Sequence, residues 1–320
     1  MKRKKQTRSQ NAGRNGRLCE KHILCALFIL VPILAYILIH LVSEYGLFQK
    51  DELDKRDLSR WDYQDGLIKG TKAFSIIDLK QNCWLFIHGY ISTPKEMEEA
   101  AQRIHEEFGD SVFVMRLSGH GQLPSMLLGR DADMWYKEVR DEFERADNLC
   151  EKVNVVGSSF GAMLALKLAE EEDLGTLYLA SPYLYINSGL IPKEFQIKNF
   201  GWLLHYQKKE TAGSINDPEG LARHIGYMNL PFRPLRDSFD FIDKTTQDLG
   251  KITEPVMIFQ SKNDQTVDPK GAEVILSGVN SDSKNIIWFI RSNHLLFMDY
   301  DREEVLADII GHEKEIRSKT

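Results

Sequence analysis

A serine sits between two glycines in Gly157-Ser158-Ser159-Phe160-Gly161. Here an apolar β-branched run, Val153-Asn154-Val155-Val156, gives way to a helix-forming run, Ala162-Met163-Leu164-Ala165-Leu166-Lys167-Leu168. This is strand, sharp turn and helix with a serine at the apex. Side chains at Gly157 and Gly161 would collide as the backbone doubles back, so sterics call for glycine at both places. A serine hydroxyl is a weak nucleophile unless it is exposed and beside a base, and a strained turn supplies the exposure. Ser159, with small residues two before and two after it, is the candidate nucleophile; its neighbour Ser158 is not. Pentapeptides of this form also arise by chance, so the partners must decide.

In the open-sheet form of the triad, an acid and then a histidine follow the serine along the chain. After the apolar run Val256-Met257-Ile258-Phe259-Gln260 comes a loop with two aspartates, Asp264 and Asp268. Asp268 precedes Pro269 and a helical run from Gly271 to Leu276, so it reads as a helix N-cap with proline at the first helical position. That leaves Asp264 as the acid. After the next strand, Ile286-Ile287-Trp288-Phe289-Ile290, the loop Arg291-Ser292-Asn293-His294 offers His294 as the general base.

A tetrahedral intermediate carries an oxyanion, and preorganised N–H donors stabilise it by about 2.7–4 kcal/mol each. One donor is the amide after the nucleophile, Phe160. The other is assigned to Tyr90, in the turn that follows the strand Trp84-Leu85-Phe86-Ile87 and His88; Gly89 lets this turn approach the substrate and His88 braces it. Leu117-Ser118-Gly119-His120-Gly121 is a glycine-rich loop at the same sheet edge, equally readable as a plain turn or a pocket wall.

The set His88-Gly89-Tyr90, Ser118-Gly119-His120-Gly121, Trp135, Gly157-x-Ser159-x-Gly161, Asp264-x-x-Val267 and His294 resembles the α/β-hydrolase superfamily. More narrowly, it is similar to the bacterial carboxylesterase and monoacylglycerol-lipase branch of serine hydrolases. The resemblance runs from about residue 80 to the C-terminus. It implies a triad of Ser159, Asp264 and His294 and an oxyanion hole from the Tyr90 and Phe160 amides. Two positions depart from the branch's pattern: Asn293 stands where glycine usually precedes the histidine, and Tyr90 where phenylalanine is commoner. Both touch pocket shape, and neither removes a catalytic group.

The order of elements agrees. Strands are expected at 84–87, 111–115, 153–156, 176–180, 256–260 and 286–290, as short apolar runs suited to a parallel sheet buried on both faces. Helices with an apolar stripe lie between them, at 94–108 with Met97, Ala101, Ile104 and Phe108, and around 134–149 with Trp135, Val139, Phe143 and Ala146. The last helix begins at Arg302 or Glu303 and carries Val305, Leu306, Ile309 and Ile310. Such alternation gives an α/β fold with function at the carboxyl ends of the strands. The expected domain is residues 67–320, an α/β-hydrolase fold interrupted by a cap insertion at about 182–252 that is rich in aromatics and prolines. A cap needs apolar residues for an acyl chain and mobility to admit it, although such aromatics also pack an insertion onto its core. In this fold Cys83 and Cys150 each precede neighbouring strands, so a disulfide between them is geometrically conceivable; two buried thiols are the alternative.

The N-terminal region follows other rules. Residues 23–39 hold no charged side chain, and apolar character continues to Val42, about the 20 residues that span a bilayer. Residues 1–22 carry eight lysines and arginines against Glu20 alone, while 43–60 carry four basic and five acidic residues. This asymmetry expects a basic cytoplasmic tail (1–22), a transmembrane helix (23–42), a tether (43–66) and an extracytoplasmic catalytic domain, periplasmic if the source is bacterial. A cleavable signal peptide fits less well, because His40-Leu41-Val42-Ser43 is a poor cleavage site. With a net charge of −6 overall and +7 in residues 1–22, the remainder carries −13, which argues against nucleic-acid partners. No metal-ligand cluster or nucleotide-binding glycine loop occurs in the sequence, so no metal or cofactor is expected.

The reading is a membrane-anchored serine hydrolase cleaving carboxylic esters through an acyl-enzyme. Its expected partners are the membrane and a small ester or lipid, acylglycerols or lysophospholipids among them. The alternatives are a serine peptidase or acyltransferase on the same triad, or a catalytically silent hydrolase-fold binding protein.

Overall fold

The computed structural model describes residues 30–36, 38, 45–47, 53–78, 82–187, 193–200, 204–210 and 213–319. Its centre is a seven-stranded sheet of β1 (Phe74–Ile76), β2 (Asn82–Ile87), β3 (Ser111–Val114), β4 (Lys152–Ser158), β5 (Leu177–Ala180), β6 (Val256–Ser261) and β7 (Lys284–Phe289). The strand order is β7-β6-β5-β4-β2-β3-β1. All neighbours run parallel except β1, the edge strand, which lies antiparallel on β3. The expected strands all form. The short β1 was not foreseen, because three residues carry too little pattern to stand out.

Alternate residues of each strand face opposite sides of the sheet. Leu85, Ile87, Val153, Val155, Leu177 and Leu179 enter one buried cluster, while Trp84, Phe86, Val156, Tyr178 and Phe259 enter another. The first is covered by α2 (Ala132–Asp147), α3 (Phe160–Ala169), α4 (Phe232–Asp248) and α5 (Lys270–Gly278), and the second by α1 (Glu98–Phe108) and α6 (Arg302–Lys319). The stripe Trp135, Val139, Phe143 and Ala146 of α2 is buried, and Asp131 caps this helix by accepting the Met134 N–H at 2.8 Å. At full burial the Val139 and Phe143 side chains each stabilise the fold by about 1.5–3 kcal/mol. The one polar residue in the middle of β4, Asn154, is buried and accepts the Thr176 N–H at 2.7 Å. Cys83 at the start of β2 and Cys150 just before β4 form a disulfide with a Cα separation of 5.8 Å.

Register sets the working edge. Ile87 pairs with Gly157, and Ser158 with Ala180, so β2, β4 and β5 end level. His88, Ser159 and Ser181 therefore emerge side by side. β6 and β7 end level as well, at Ser261 and Phe289.

The insertion between β5 and β6 forms a cap. It contains helices Lys193–Phe200 and Pro218–Arg223, α4, and the antiparallel strands Leu204–Lys208 and Asn229–Pro231. A third strand, Tyr45–Leu47, comes from the far end of the chain and pairs with Leu204–Lys208. Several cap aromatics pack inward, namely Tyr183, Tyr206, Tyr227 and Phe232, while Tyr185, Phe195 and Phe200 stay exposed; Trp202 lies outside the described residues.

Residues 53–66, within the stretch expected to be a tether, are folded onto this cap. Leu53 and Asp57 are buried. The Asn229 side-chain amide donates to Leu53 O at 2.7 Å, the Trp61 indole to Gly226 O at 3.1 Å, and the Met228 N–H to Asp57 Oδ1 at 2.9 Å. Charge-rich composition concealed this, because the segment is held by backbone and polar side-chain bonds rather than by an apolar stripe. The basic tail 1–22 lies outside the described residues. Of the expected span 23–42, residues 30–36 and 38 are described, as helix with exposed side chains; among the described residues no helix is long and apolar enough to cross a membrane.

Burial pushes the Asp57 carboxyl up to about 6, against the opposing pull of the Met228 N–H and the Arg56 charge. A carboxyl raised in this way supports folding below its ordinary value and loses that contribution as pH rises through about 6. Asp57→Asn is therefore expected to stabilise the protein at pH 7.5 by roughly 1–3 kcal/mol, with the difference closing at pH 4. Thermal unfolding of both proteins at the two pH values checks this, and a variant no more stable at pH 7.5 rules it out.

Candidate active site

Ser159 occupies the turn between β4 and α3 with φ 54° and ψ −117°, a region that a residue with a side chain enters only under constraint. Its N–H donates to Ala180 O at 2.8 Å, and its own carbonyl accepts the Tyr183 N–H at 3.1 Å. The two elbow glycines are required for separate reasons. A Cβ on Gly157 would stand 2.6 Å from Gly161 O, and one on Gly161 would stand 2.3 Å from Ile87 O of the neighbouring strand. α3 can start only by pressing its first turn against β2.

The residues selected after β6 and β7 meet this serine. Ser159 Oγ–H donates to His294 Nε2 at 2.8 Å, and His294 Nδ1–H donates to Asp264 Oδ2 at 2.8 Å. The other carboxylate oxygen of Asp264 accepts the Thr266 and Val267 N–H groups at 2.8 and 2.9 Å. Burial alone would raise the Asp264 carboxyl, yet the His294 charge and these three donors hold it below its ordinary value. Gln260, the penultimate residue of β6, adds a side-chain N–H to Asp264 Oδ2 at 3.2 Å. Asp268 takes no part: its carboxylate accepts the Lys270 N–H at 3.0 Å where α5 begins. The cap reaches in at this point, with Ser214 O accepting the His294 N–H at 3.1 Å and Ser214 Oγ accepting from Thr266 Oγ1 at 2.9 Å.

The turn after β2 lies against the serine. A Cβ on Gly89 would stand 3.0 Å from Ser159 Cβ, so glycine permits this approach. Among the described residues, neither the Tyr90 nor the Phe160 N–H has a backbone acceptor, which leaves both free for an oxyanion. His88 is buried, and that burial lowers it to about 4. As the neutral ring it donates from Nδ1 to Gly89 O at 2.9 Å and accepts the Leu117 N–H on Nε2 at 3.2 Å, bracing the turn against the glycine-rich loop. His120 of that loop stacks its ring among His88, Tyr90 and Trp135, with centroids 5.0, 5.9 and 5.2 Å away. The loop is thus a wall beneath the turn.

Both departures from the branch's pattern acquire a role. The Tyr90 hydroxyl donates to Pro231 O at 2.7 Å, tying the oxyanion turn to the cap. Asn293 Oδ1 accepts the Gln265 N–H at 3.0 Å, tying the histidine loop to the acid loop.

One residue escaped the sequence reading altogether. Glu96 is fully buried; it accepts the Ser158 hydroxyl on one oxygen and the Gly89 N–H at 3.4 Å on the other. It clamps the turn after β2 to the elbow through Ser158. The two residues are 62 apart in the chain, and no spacing rule joins them. Glu96→Ala is expected to leave the Ser158 hydroxyl unpaired and cost about 1–3 kcal/mol of stability. Because the turn loosens relative to the serine, kcat should fall about tenfold with KM little changed. Denaturant titration and steady-state kinetics test this, and full activity in a folded Glu96→Ala protein would remove the clamp from the mechanism.

Ser159 and His294, 6% and 5% exposed, open onto a cavity of about 740 Å³ between the sheet edge and the cap. Ile186, Ile197, Leu230, Phe232 and Leu235 give it an apolar side. A pocket of this size and composition suits a small organic ligand.

A family model described as serine aminopeptidase, S33, matches residues 80–301. A thermostable monoacylglycerol lipase of Bacillus sp. (strain H-257) is 26% identical over 224 residues, covering 69% of this chain and 86% of the lipase. A carboxylesterase of Bacillus subtilis (strain 168) is 22% identical over 228 residues, covering 70% and 89%. Among solved structures, a metagenome-derived lipolytic enzyme aligns with a TM-score of 0.72 at 20% identity, over 78% of this chain and 99% of that one. The monoacylglycerol lipase of Paleococcus ferrophilus aligns at 0.65 and 17% identity, over 75% and 96%. The structural likenesses speak for the fold, and the family match covers most of the chain from β2 to the start of the last helix. The chain belongs to the serine aminopeptidase S33 family and is a serine hydrolase of the α/β-hydrolase fold.

Proposed function

We propose that this serine hydrolase cleaves carboxylic esters through an acyl-enzyme, with Ser159 as nucleophile, His294 as general base and acid, and Asp264 as the group that orients the imidazole. The observation that carries this reading is the unbroken chain of 2.8 Å hydrogen bonds from Ser159 Oγ through His294 to Asp264 at the floor of a partly apolar cavity. Ser159 Oγ attacks the ester carbonyl as His294 Nε2 takes its proton. The oxyanion is held by the Phe160 and Tyr90 N–H groups. His294 then protonates the leaving alcohol as the C–O bond breaks, and water repeats the sequence to free the acid. Asp264 stays ionised throughout and stabilises the imidazolium, in keeping with its lowered pKa.

Lipase and carboxylesterase relatives support an ester over an amide. The aminopeptidase reading needs a carboxylate to hold the substrate's free ammonium group. Among the described residues lining the cavity, Glu210 is the one carboxylate, against four cationic side chains. Location belongs to the same reading: residues 23–42 anchor the protein, the basic tail stays cytoplasmic, and the domain works on the far side. The Cys83–Cys150 disulfide supports that side, since such bonds persist in oxidising compartments.

A fluorophosphonate probe is expected to label the purified protein and not Ser159→Ala; an unlabelled wild type would overturn the mechanism. Asp264→Asn should lower kcat by about 10⁴ while Asp268→Asn stays near wild type, and the reverse result would move the acid to Asp268. For location, membranes isolated under thiol-blocking conditions should give a band whose electrophoretic mobility shifts on reduction. Intact spheroplasts should lose the domain to added protease, and a protected domain would refute the orientation.

A further inference from the structure

The turn after β2 contains a residue at odds with its own backbone. Gly89-Tyr90-Ile91-Ser92 is closed by the Ser92 N–H donating to Gly89 O at 3.2 Å, and Ile91 takes the third position with φ 57°. That left-handed value suits glycine and is a genuine outlier for a β-branched side chain. Strain of this kind persists only where the surroundings over-determine it. Ile91 directly follows Tyr90, so whatever fixes Ile91 also fixes the backbone beside the Tyr90 N–H.

Those surroundings are one short stretch of the cap, residues 225–231. Three of its backbone groups grip the turn. Ile225 O accepts the Thr93 hydroxyl at 2.9 Å, the Tyr227 N–H donates to Ile91 O at 3.2 Å, and Pro231 O accepts the Tyr90 hydroxyl at 2.7 Å. The Tyr227 side chain is buried, and its hydroxyl keys the stretch to the glycine-rich loop, donating to Gly119 O at 2.8 Å and accepting the Gln122 N–H at 3.0 Å. Residues in between are held instead by the N-terminal clasp, residues 53–66. Gly226 O accepts the Trp61 indole N–H, the Met228 N–H donates to Asp57 Oδ1, and the Asn229 side-chain amide donates to Leu53 O. Residues 224–228 lie between the helix Pro218–Arg223 and the strand Asn229–Pro231, outside both, so these cross bonds set their path. The stretch is thus braced between the turn and the clasp, and the clasp lies outside residues 80–301, where the family model matches.

We propose that the clasp positions the oxyanion hole, with Trp61 and Asp57 as positioning residues that act through residues 225–231 on the Tyr90 N–H. This rests on the reading of Ser159 as an ester-cleaving nucleophile with Tyr90 as an oxyanion donor. Neither Trp61 nor Asp57 lines the cavity. Each fixes a backbone group next in the chain to one that grips the turn: Gly226 stands between Ile225 and Tyr227, and Met228 follows Tyr227. An oxyanion donor acts only at hydrogen-bond distance from the place where charge develops, so a loosened turn lowers the rate without changing how the ester is bound.

The test uses the full chain at pH 7.5 with p-nitrophenyl butyrate. Trp61→Phe loses the indole donor and keeps an aromatic ring, Asp57→Leu loses the acceptor for the Met228 N–H and keeps the bulk, and Asp57→Asn keeps that acceptor. The first two are each expected to lower kcat about tenfold with KM changed less than about twofold, while Asp57→Asn retains the wild-type kcat. Thermal unfolding establishes that each variant is folded at the assay temperature, and Trp61→Phe decides alone if Asp57→Leu does not fold. An unchanged kcat, a loss confined to KM, or an equal loss in Asp57→Asn overturns the proposal. Hydrogen exchange separates this inference from the reading beneath it. In the Ser159→Ala protein, adding Trp61→Phe should quicken exchange of the Ser92 and Tyr227 amides about tenfold. If the wild type cleaves no ester yet this exchange quickens, the ester reading falls and the brace stands; if esters are cleaved and neither kcat nor exchange responds, the brace falls alone.

Discussion

The backbone of Ser159 is forced into its strained conformation from three directions, and most of the domain serves to keep it there. β5 holds its N–H through Ala180 O, the start of the cap holds its carbonyl through the Tyr183 N–H, and β2 presses directly on Gly161. A strain of order 1–3 kcal/mol at one residue persists only where the surroundings over-determine it. Here they do so because β2, β4 and β5 end level, which is a consequence of parallel register. A slip of one residue in any of these pairs would exchange the side chains fitted to the two buried faces and take the elbow apart.

Around that point the loops are joined crosswise. Glu96 links the oxyanion turn to the elbow, His88 links that turn to the glycine-rich loop, and Asn293 links the histidine loop to the acid loop. The cap joins in through Tyr90 to Pro231 and through His294 to Ser214. The cap is thus hydrogen-bonded to residues that the proposed chemistry uses. The N-terminal segment enters the same network, since Arg56 and Asp57 fasten Met228 and Asn229 where the cap strand Asn229–Pro231 begins.

Much of the fold could be read from the chain. Six of the seven strands announce themselves as short apolar runs, and α1 and α2 as stripes of helical period, because burial on a sheet selects those patterns directly. Ser159, Asp264 and His294 could be nominated from chain order and from their places after strands. Asp268 could be set apart from Asp264 by Pro269 beside it. β1, Glu96 and the clasp at residues 53–66 could not be read. Each is held by scattered long-range contacts, and a single carboxylate or a three-residue edge strand leaves no periodic trace. The charge-rich segment was misleading in a particular way: Asp57 and Arg56 look like solvated side chains, yet one is buried and the other braces the cap.

Local rules thus sufficed for the elbow, the order of elements, the candidate catalytic residues and the charge asymmetry at the N-terminus. All of these depend on neighbours within a few positions or on the sum of charges. Only the tertiary structure decided which residues stand around the serine, how the cap is fastened, that Cys83 meets Cys150, and that four cations share one cavity with the candidate nucleophile. Arg56 and Lys209 lie 153 positions apart, and their meeting depends on the packing of the cap against the clasp. No pattern within either segment encodes the distance between them.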